Sequence, residues 1–139
     1  MINQGMFTSK TDDWATPQEL FDEYDREFHF TLDVCASEKN YKVKRYFNKK
    51  QNGLKQKWGG VCWMNPPYGR EIGKWVQKAY EESKNGVVIV CLLRARTDTK
   101  YFHSYIYGKA EIRFLKGRVK FSNSKQGAPF PSMVVVYKR

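Results

Sequence analysis

The stretch that decides the fold is Val61-Cys62-Trp63-Met64-Asn65-Pro66-Pro67-Tyr68-Gly69. Its first four residues are apolar and suit a short buried strand. The next residues cannot prolong it. Consecutive prolines lack the N–H that a β-ladder needs and hold φ near −65°, so the strand stops at Met64 and the chain turns. Beyond the turn, Ile72, Trp75, Val76, Ala79 and Tyr80 recur at the spacing of one helix face. Strand, stiff turn and helix, in that order, are the first half of a strand–helix–strand unit.

The second half follows at once. Asn85-Gly86 ends the helix, and Val87–Leu93 is a continuous apolar run of the kind buried on both faces of a parallel sheet. Arg94–Thr99 reads as a loop. Thr97, Asp98 or Thr99 is expected to cap a helix through about Tyr107, with Gly108 ending it. Ala110–Leu115 reads as a strand, Gly117 as a turn, Val119–Phe121 as a short strand and Met133–Tyr137 as the last strand.

Upstream of the motif, residues 38–57 are basic and weakly periodic, a loop with at most one helical turn. Phe30–Val34 reads as another strand. Before it, Thr16 is expected to cap a helix opened by Pro17, with Glu19 completing the cap and Leu20, Phe21, Tyr24 and Phe28 forming the apolar face. The whole reads as α/β, a mostly parallel sheet with a terminal antiparallel hairpin. At 139 residues without repeats, the chain is expected to be one domain over 14–139 behind a polar, flexible tail over 1–13. Ligands bind such sheets at the carboxyl ends of the strands, where Asp33, Asn65 and the loop after Leu93 all fall.

Composition narrows the partners. Residues 1–40 carry 3 Lys/Arg and 9 Asp/Glu, a net charge of −6, whereas residues 41–139 carry 22 and 5, a net of +17. That asymmetry points to a polyanion facing the later part of the chain. The longest apolar run is far short of a membrane span, and MINQGMFTSKTDDW has no apolar leader core, so the cytoplasm is the expected compartment. Cys35, Cys62 and Cys91 lie singly in apolar stretches, which suits buried reduced thiols and argues against both disulfides and zinc. His29 and His103 stand alone, so a metal site is not expected.

Asn65-Pro66-Pro67-Tyr68 fits one chemistry well. An exocyclic amino group on a purine is a poor nucleophile, because its lone pair is delocalised into the ring. Accepting both its hydrogens favours a pyramidal, more nucleophilic nitrogen. A side-chain amide oxygen from Asn65 and a backbone carbonyl from Pro66 supply two such acceptors, and Pro67 stiffens their separation. Tyr68 offers a flat face on which a base extruded from a duplex can stack. A sulfonium methyl donor needs no strongly shifted general base, so positioning is the main catalytic requirement.

With these residues in view, the chain resembles the phage-type DNA N-6-adenine methyltransferases, small Dam-like enzymes. The resemblance covers about residues 14–137. It rests on WATPQELFDEYDREF, LDVCAS, the stretch from Gly53-Leu54 to Trp58, WMNPPYG, ARTDTKYFH, and GRVKF followed by GAPFPSMVVVY. It implies a Rossmann-like S-adenosylmethionine-dependent methyltransferase fold, reduced in size, acting on double-stranded DNA with the target adenine flipped out. By position, Thr16 and Pro17 correspond to the segment touching the methionine end of the donor. Asp33 corresponds to the strand end that holds its methionine or ribose portion, and Cys35-Ala36-Ser37 to a close-packed turn. Arg94, Arg96 and Asp98 fall on the active-site edge, and Phe130 resembles an aromatic that sandwiches the target base in some relatives. Gln51-Asn52 stand where the family often has an acidic residue before Gly-Leu, and Leu93-Arg94 replace what is often a proline-containing approach to the Arg96–Thr99 loop. Two other readings stay open from sequence: methyl transfer to RNA or a protein glutamine, and a non-catalytic DNA-binding relative.

Overall fold

The computed structural model describes residues 14–122, 124 and 126–138, so the expected tail over 1–13 lies outside the described residues. In chain order the elements are helix α1 (Gln18–Phe28), strand β1 (Leu32–Asp33), a 3₁₀ turn (Gly53–Lys55), β2 (Val61–Met64), α2 (Ile72–Ser83), β3 (Val88–Arg94), one wide helical turn (Phe102–Ile106), β4 (Glu111–Phe114) and β5 (Ser132–Tyr137). The five strands form one sheet in the order β1-β2-β3-β5-β4. β1, β2 and β3 run parallel, with Asp33 beside Trp63 and Met64 beside Cys91. β5 runs antiparallel to both β3 and β4. β4 therefore points the same way as β1, β2 and β3, and the terminal hairpin is folded so that its second strand, β5, lies inside the sheet.

The period-2 alternation of the strands builds two cores. One face carries Leu32, Cys62, Met64, Ile89, Cys91, Leu93, Met133 and Val135, covered by Trp75, Val76 and Ala79 of α2 and by Phe102 and Ile106. The opposite face carries Trp63, Val90, Leu92, Val134 and Val136, covered by Phe21 and Tyr24 of α1 and by Phe121 and Phe130. The result is a sheet between two helical layers, the arrangement expected when strands are apolar throughout.

Several sequence expectations need correcting. The strand read over Phe30–Val34 is assigned only over Leu32–Asp33, flanked by backbone bonds from Thr31 N–H to the Val61 carbonyl at 2.8 Å and from Val34 N–H to the Trp63 carbonyl at 3.1 Å, while His29 with a left-handed φ of 58° ends α1. Val119–Phe121 is a loop; Val119 accepts one backbone bond, from Ala128 N–H at 2.9 Å, and Phe121 turns into the core. Thr16 does not cap α1. Pro17 stands at the N-cap with no side-chain capping bond, and the Thr16 hydroxyl is engaged elsewhere. Of the three candidate caps near residue 98, Thr99 serves: its Oγ1 accepts from Phe102 N–H at 3.3 Å. Cys62 and Cys91 are buried, but Cys35 is only half-buried.

Gly53 fixes how the long β1–β2 connection closes. Its carbonyl accepts from the Trp58 indole N–H at 2.8 Å. A Cβ at this position would lie 2.1 Å from the Val34 carbonyl oxygen and 3.0 Å from the Trp75 ring. Neither neighbour can yield cheaply, since one is backbone and the other a packed indole. Gly53→Ala is therefore expected to cost about 1–3 kcal/mol by overpacking. Gly59→Ala, where a Cβ meets nothing within 4 Å, is the control. Thermal unfolding of the two variants checks this; equal midpoints would show that the loop is not held at Gly53.

Candidate active site

The carboxyl ends of β1, β2 and β3 lie on one edge of the sheet. Between the first two and the chain entering α1 lies a cavity of about 450 Å³. Among its walls are Thr16, Asp33, Cys35, Ala36, Ser37, Asn65, Pro66 and Pro67, with Trp14, Asn52, Gly53, Glu71 and Trp75. Three separately read motifs are thus brought together. Pro17 is not among the lining residues. Tyr68 borders a neighbouring hollow of about 180 Å³ with Arg94, Arg96, Thr99 and Tyr101.

Asn65 is the best-defined group. Its Nδ2 donates to the Trp14 carbonyl and, at 2.9 Å, to Thr16 Oγ1. A backbone carbonyl only accepts, so the amide orientation is settled by chemistry: the NH₂ faces Trp14, and Oδ1 faces the other way. Asn65 Oδ1 is buried and has no hydrogen-bond donor among the described residues. Such an acceptor is costly to leave unpaired, and a ligand amino group would satisfy it. The Trp14 indole Nε1 is likewise buried without a partner. Among the described residues neither atom has a partner, and both belong to residues that line the same cavity. Trp14 received no role from the sequence, although it opens the quoted stretch two residues before Thr16.

Asp33 sits 2% exposed at the end of β1. Its carboxylate accepts from the backbone N–H of Lys42 at 3.0 Å and of Cys35 at 3.3 Å. Burial outweighs these bonds and raises its pKa from 3.8 to about 7. One carboxylate thus shapes the turn over Cys35–Ser37 and ties the β1–β2 connection back to it.

Tyr68 is 6% exposed, packed edge-on against Phe130 at 5.7 Å and Phe121 at 6.4 Å. Its hydroxyl donates to the Leu92 carbonyl at 2.8 Å. The sequence reading gave the hydroxyl no role; here it anchors the Asn65–Tyr68 turn to β3. The Arg94 guanidinium lies 4.8 Å from the Phe130 ring centre and 5.4 Å from that of Tyr68. Phe130 also meets Trp14 at 5.2 Å, so it joins the cluster roofing the site. Arg96 and Asp98 are exposed and 4.0 Å apart. Asp98 lines neither hollow. His103 bonds the Thr97 carbonyl at 2.8 Å, and among the described residues no cluster of His, Cys, Asp or Glu could hold a metal.

The raised pKa of Asp33 has a sign that can be checked. Between about pH 4 and 7 the folded chain keeps a proton that the unfolded chain has released. Stability from this group is therefore lost as pH rises through that window. Melting temperatures measured from pH 5 to pH 8 should fall more steeply for the native protein than for Asp33→Asn. Parallel curves would mean Asp33 stays ionised in the fold.

Residues 5–139 match the family of DNA N-6-adenine-methyltransferases (Dam). A DNA N-6-adenine-methyltransferase of Haemophilus phage HP1 (strain HP1c1) is 32% identical over 139 residues, covering 94% of this chain and 80% of the relative. The match takes in α1, the cavity, the Asn65–Tyr68 turn and every strand, and on that ground this chain belongs to the DNA N-6-adenine-methyltransferase (Dam) family.

Proposed function

We infer that the protein transfers a methyl group from S-adenosylmethionine to the N6 amino group of adenine in DNA. The observation that carries this is the Asn65 amide, clamped by two acceptors at its nitrogen and left with a buried, unspent oxygen. The strand order, with one antiparallel strand inserted beside β3, supports a reduced Rossmann-like methyltransferase fold. A DNA substrate places the work in the cytoplasm of the cell that holds that DNA.

The cavity suits the donor. At about 450 Å³ it falls in the ordinary range for small-molecule sites. It has aromatic walls at Trp63, Trp75 and Phe47, and polar groups at Thr16, Asp33 and Ser37. Asp33, Cys35, Ala36 and Ser37 would hold it from the β1 end, and Thr16 from the α1 entry, with Pro17 behind it outside the cavity wall. When bound, S-adenosylmethionine supplies a methyl group on a sulfonium with a neutral thioether as leaving group. The chain's own part is alignment. Asn65 Oδ1 and the Pro66 carbonyl accept the two N6 hydrogens, Pro66 and Pro67 hold the acceptors rigid, and Tyr68, Phe130 and Arg94 form the wall against which an extruded base would stack. Arg94, Arg96 and Asp98 line the approach for the rest of the nucleic acid.

Asn65→Ala is expected to lose about 10²–10³ in methylation rate, the usual effect of deleting one transition-state hydrogen-bond partner, while DNA affinity stays near normal. Near-normal turnover on DNA, compared with RNA and protein acceptors, would overturn the assignment. Thr16→Val removes one of the two bonds that orient the amide. It should lower kcat by roughly fivefold to tenfold, the scale of one hydrogen bond, with Thr16→Ser restoring it. A fall in donor affinity alone, without loss of kcat, would confine Thr16 to binding.

A further inference from the structure

We propose that Lys116, Arg118 and Lys120 form a row that seats the DNA sugar-phosphate backbone beside the catalytic turn. The inference rests on the reading that the acceptor is DNA. The three residues lie on the connection from β4 to β5, which leaves the same sheet edge as the Asn65–Tyr68 turn because β4 runs parallel to β2 and β3. All three are exposed, while Val119 between them is half-buried and Phe121 after them is fully buried. That alternation is what extended backbone produces, and it puts Arg118 and Lys120 on one face roughly 6.6 Å apart, with Lys116 preceding them across the turn at Gly117, whose φ is 74°.

The row is fastened to the site. Phe121 packs 5.3 Å from Trp14 and 6.4 Å from Tyr68. Ser122 N–H donates to the Ala15 carbonyl at 2.9 Å, and Ser122 Oγ donates to the Thr16 carbonyl at 3.2 Å. Ala128 N–H closes the loop on the Val119 carbonyl at 2.9 Å. The cations are therefore carried by backbone that also touches the segment orienting Asn65.

Among the described residues their charge is uncompensated. No Asp or Glu occurs after Glu111, and no ion pair engages Lys116, Arg118 or Lys120 among the described residues. Arg113, close by on β4, shows the contrast: it is spent on Glu27 at 2.7 Å and on Glu111 at 2.6 Å. Arg94 and Arg96, at the end of β3, extend the positive edge past Tyr68. An unpaired row of one sign beside a base-sized hollow suits backbone phosphates, which fix register and orientation.

The test compares two triple variants of equal charge, read by fluorescence anisotropy with a fluorescein-labelled mixed-sequence duplex across a salt series. Lys116→Gln, Arg118→Gln and Lys120→Gln together should reduce the log–log salt slope by about 2.7, close to 0.9 per lost phosphate contact, and weaken binding by about tenfold or more. Lys57→Gln, Lys84→Gln and Lys109→Gln together should leave the slope near that of the native chain, because these residues precede the amino ends of β2, β3 and β4 on the opposite edge. Both variants should keep the native melting temperature and the native affinity for S-adenosylmethionine by calorimetry. Equal slopes for the two variants, or a native slope in the first, would overturn the proposal while leaving DNA methylation standing. A native chain that binds no duplex and methylates none would overturn both.

Discussion

One amide that cannot rotate organises the site. If Asn65 flipped, its oxygen would face the Trp14 carbonyl, both hydrogen bonds at Nδ2 would be lost, and an NH₂ would take the place of the buried oxygen. Holding it requires residues 14–16 to lie across the carboxyl edge of the sheet. That path is set from two sides. Phe21 of α1 meets Trp63 at 5.3 Å on the sheet face, and Ser122 bonds the carbonyls of residues 15 and 16. The acceptor geometry at one side chain is therefore the joint product of the first helix, the second strand and the β4–β5 loop.

The sequence was most readable where a single local rule sufficed. Val61–Met64 is apolar and stopped by two prolines, and its bounds match the strand. Ile72 to Tyr80 has a clear helix period, and α2 follows with Trp75, Val76 and Ala79 buried. Val87–Leu93 was displaced by one residue only. Reading failed where the outcome depends on distant partners. Thr16 has every local mark of a helix cap, yet its hydroxyl is taken by a residue 49 positions away. Val119–Phe121 alternates like a strand, but the place beside β4 belongs to β5, so the segment curls inward over Trp14. The roles of Trp14 and of the Tyr68 hydroxyl also escaped, since each shows only in three dimensions.

The cavity shows the same division. Asp33, Cys35–Ser37 and Asn65–Pro67 were legible as strand ends, because parallel strands deliver their carboxyl ends to one edge. That Gly53 must be glycine was not legible. The reason is the approach of the Val34 carbonyl and the Trp75 ring, contributed by β1's end and α2. Asn52 in front of it takes a left-handed φ of 58° and accepts from Leu54 N–H at 3.1 Å. Asn52 thus tightens the loop and borders the cavity.

The place of β5 has consequences for assembly. Among the described residues β4 touches the sheet only through β5, and β3 meets no other strand on that side. Until residues 132–137 have entered, a growing or refolding chain has three parallel strands and a detached fourth, with the aromatic roof over Tyr68 lacking Phe130. Insertion of a middle strand is a non-local event and costs loop-closure entropy before any ladder bond forms. The aromatic cluster around Tyr68 is therefore completed only when this middle strand enters, whereas the cavity beside Asn65, lined by residues no later than Trp75, is built from earlier parts of the chain.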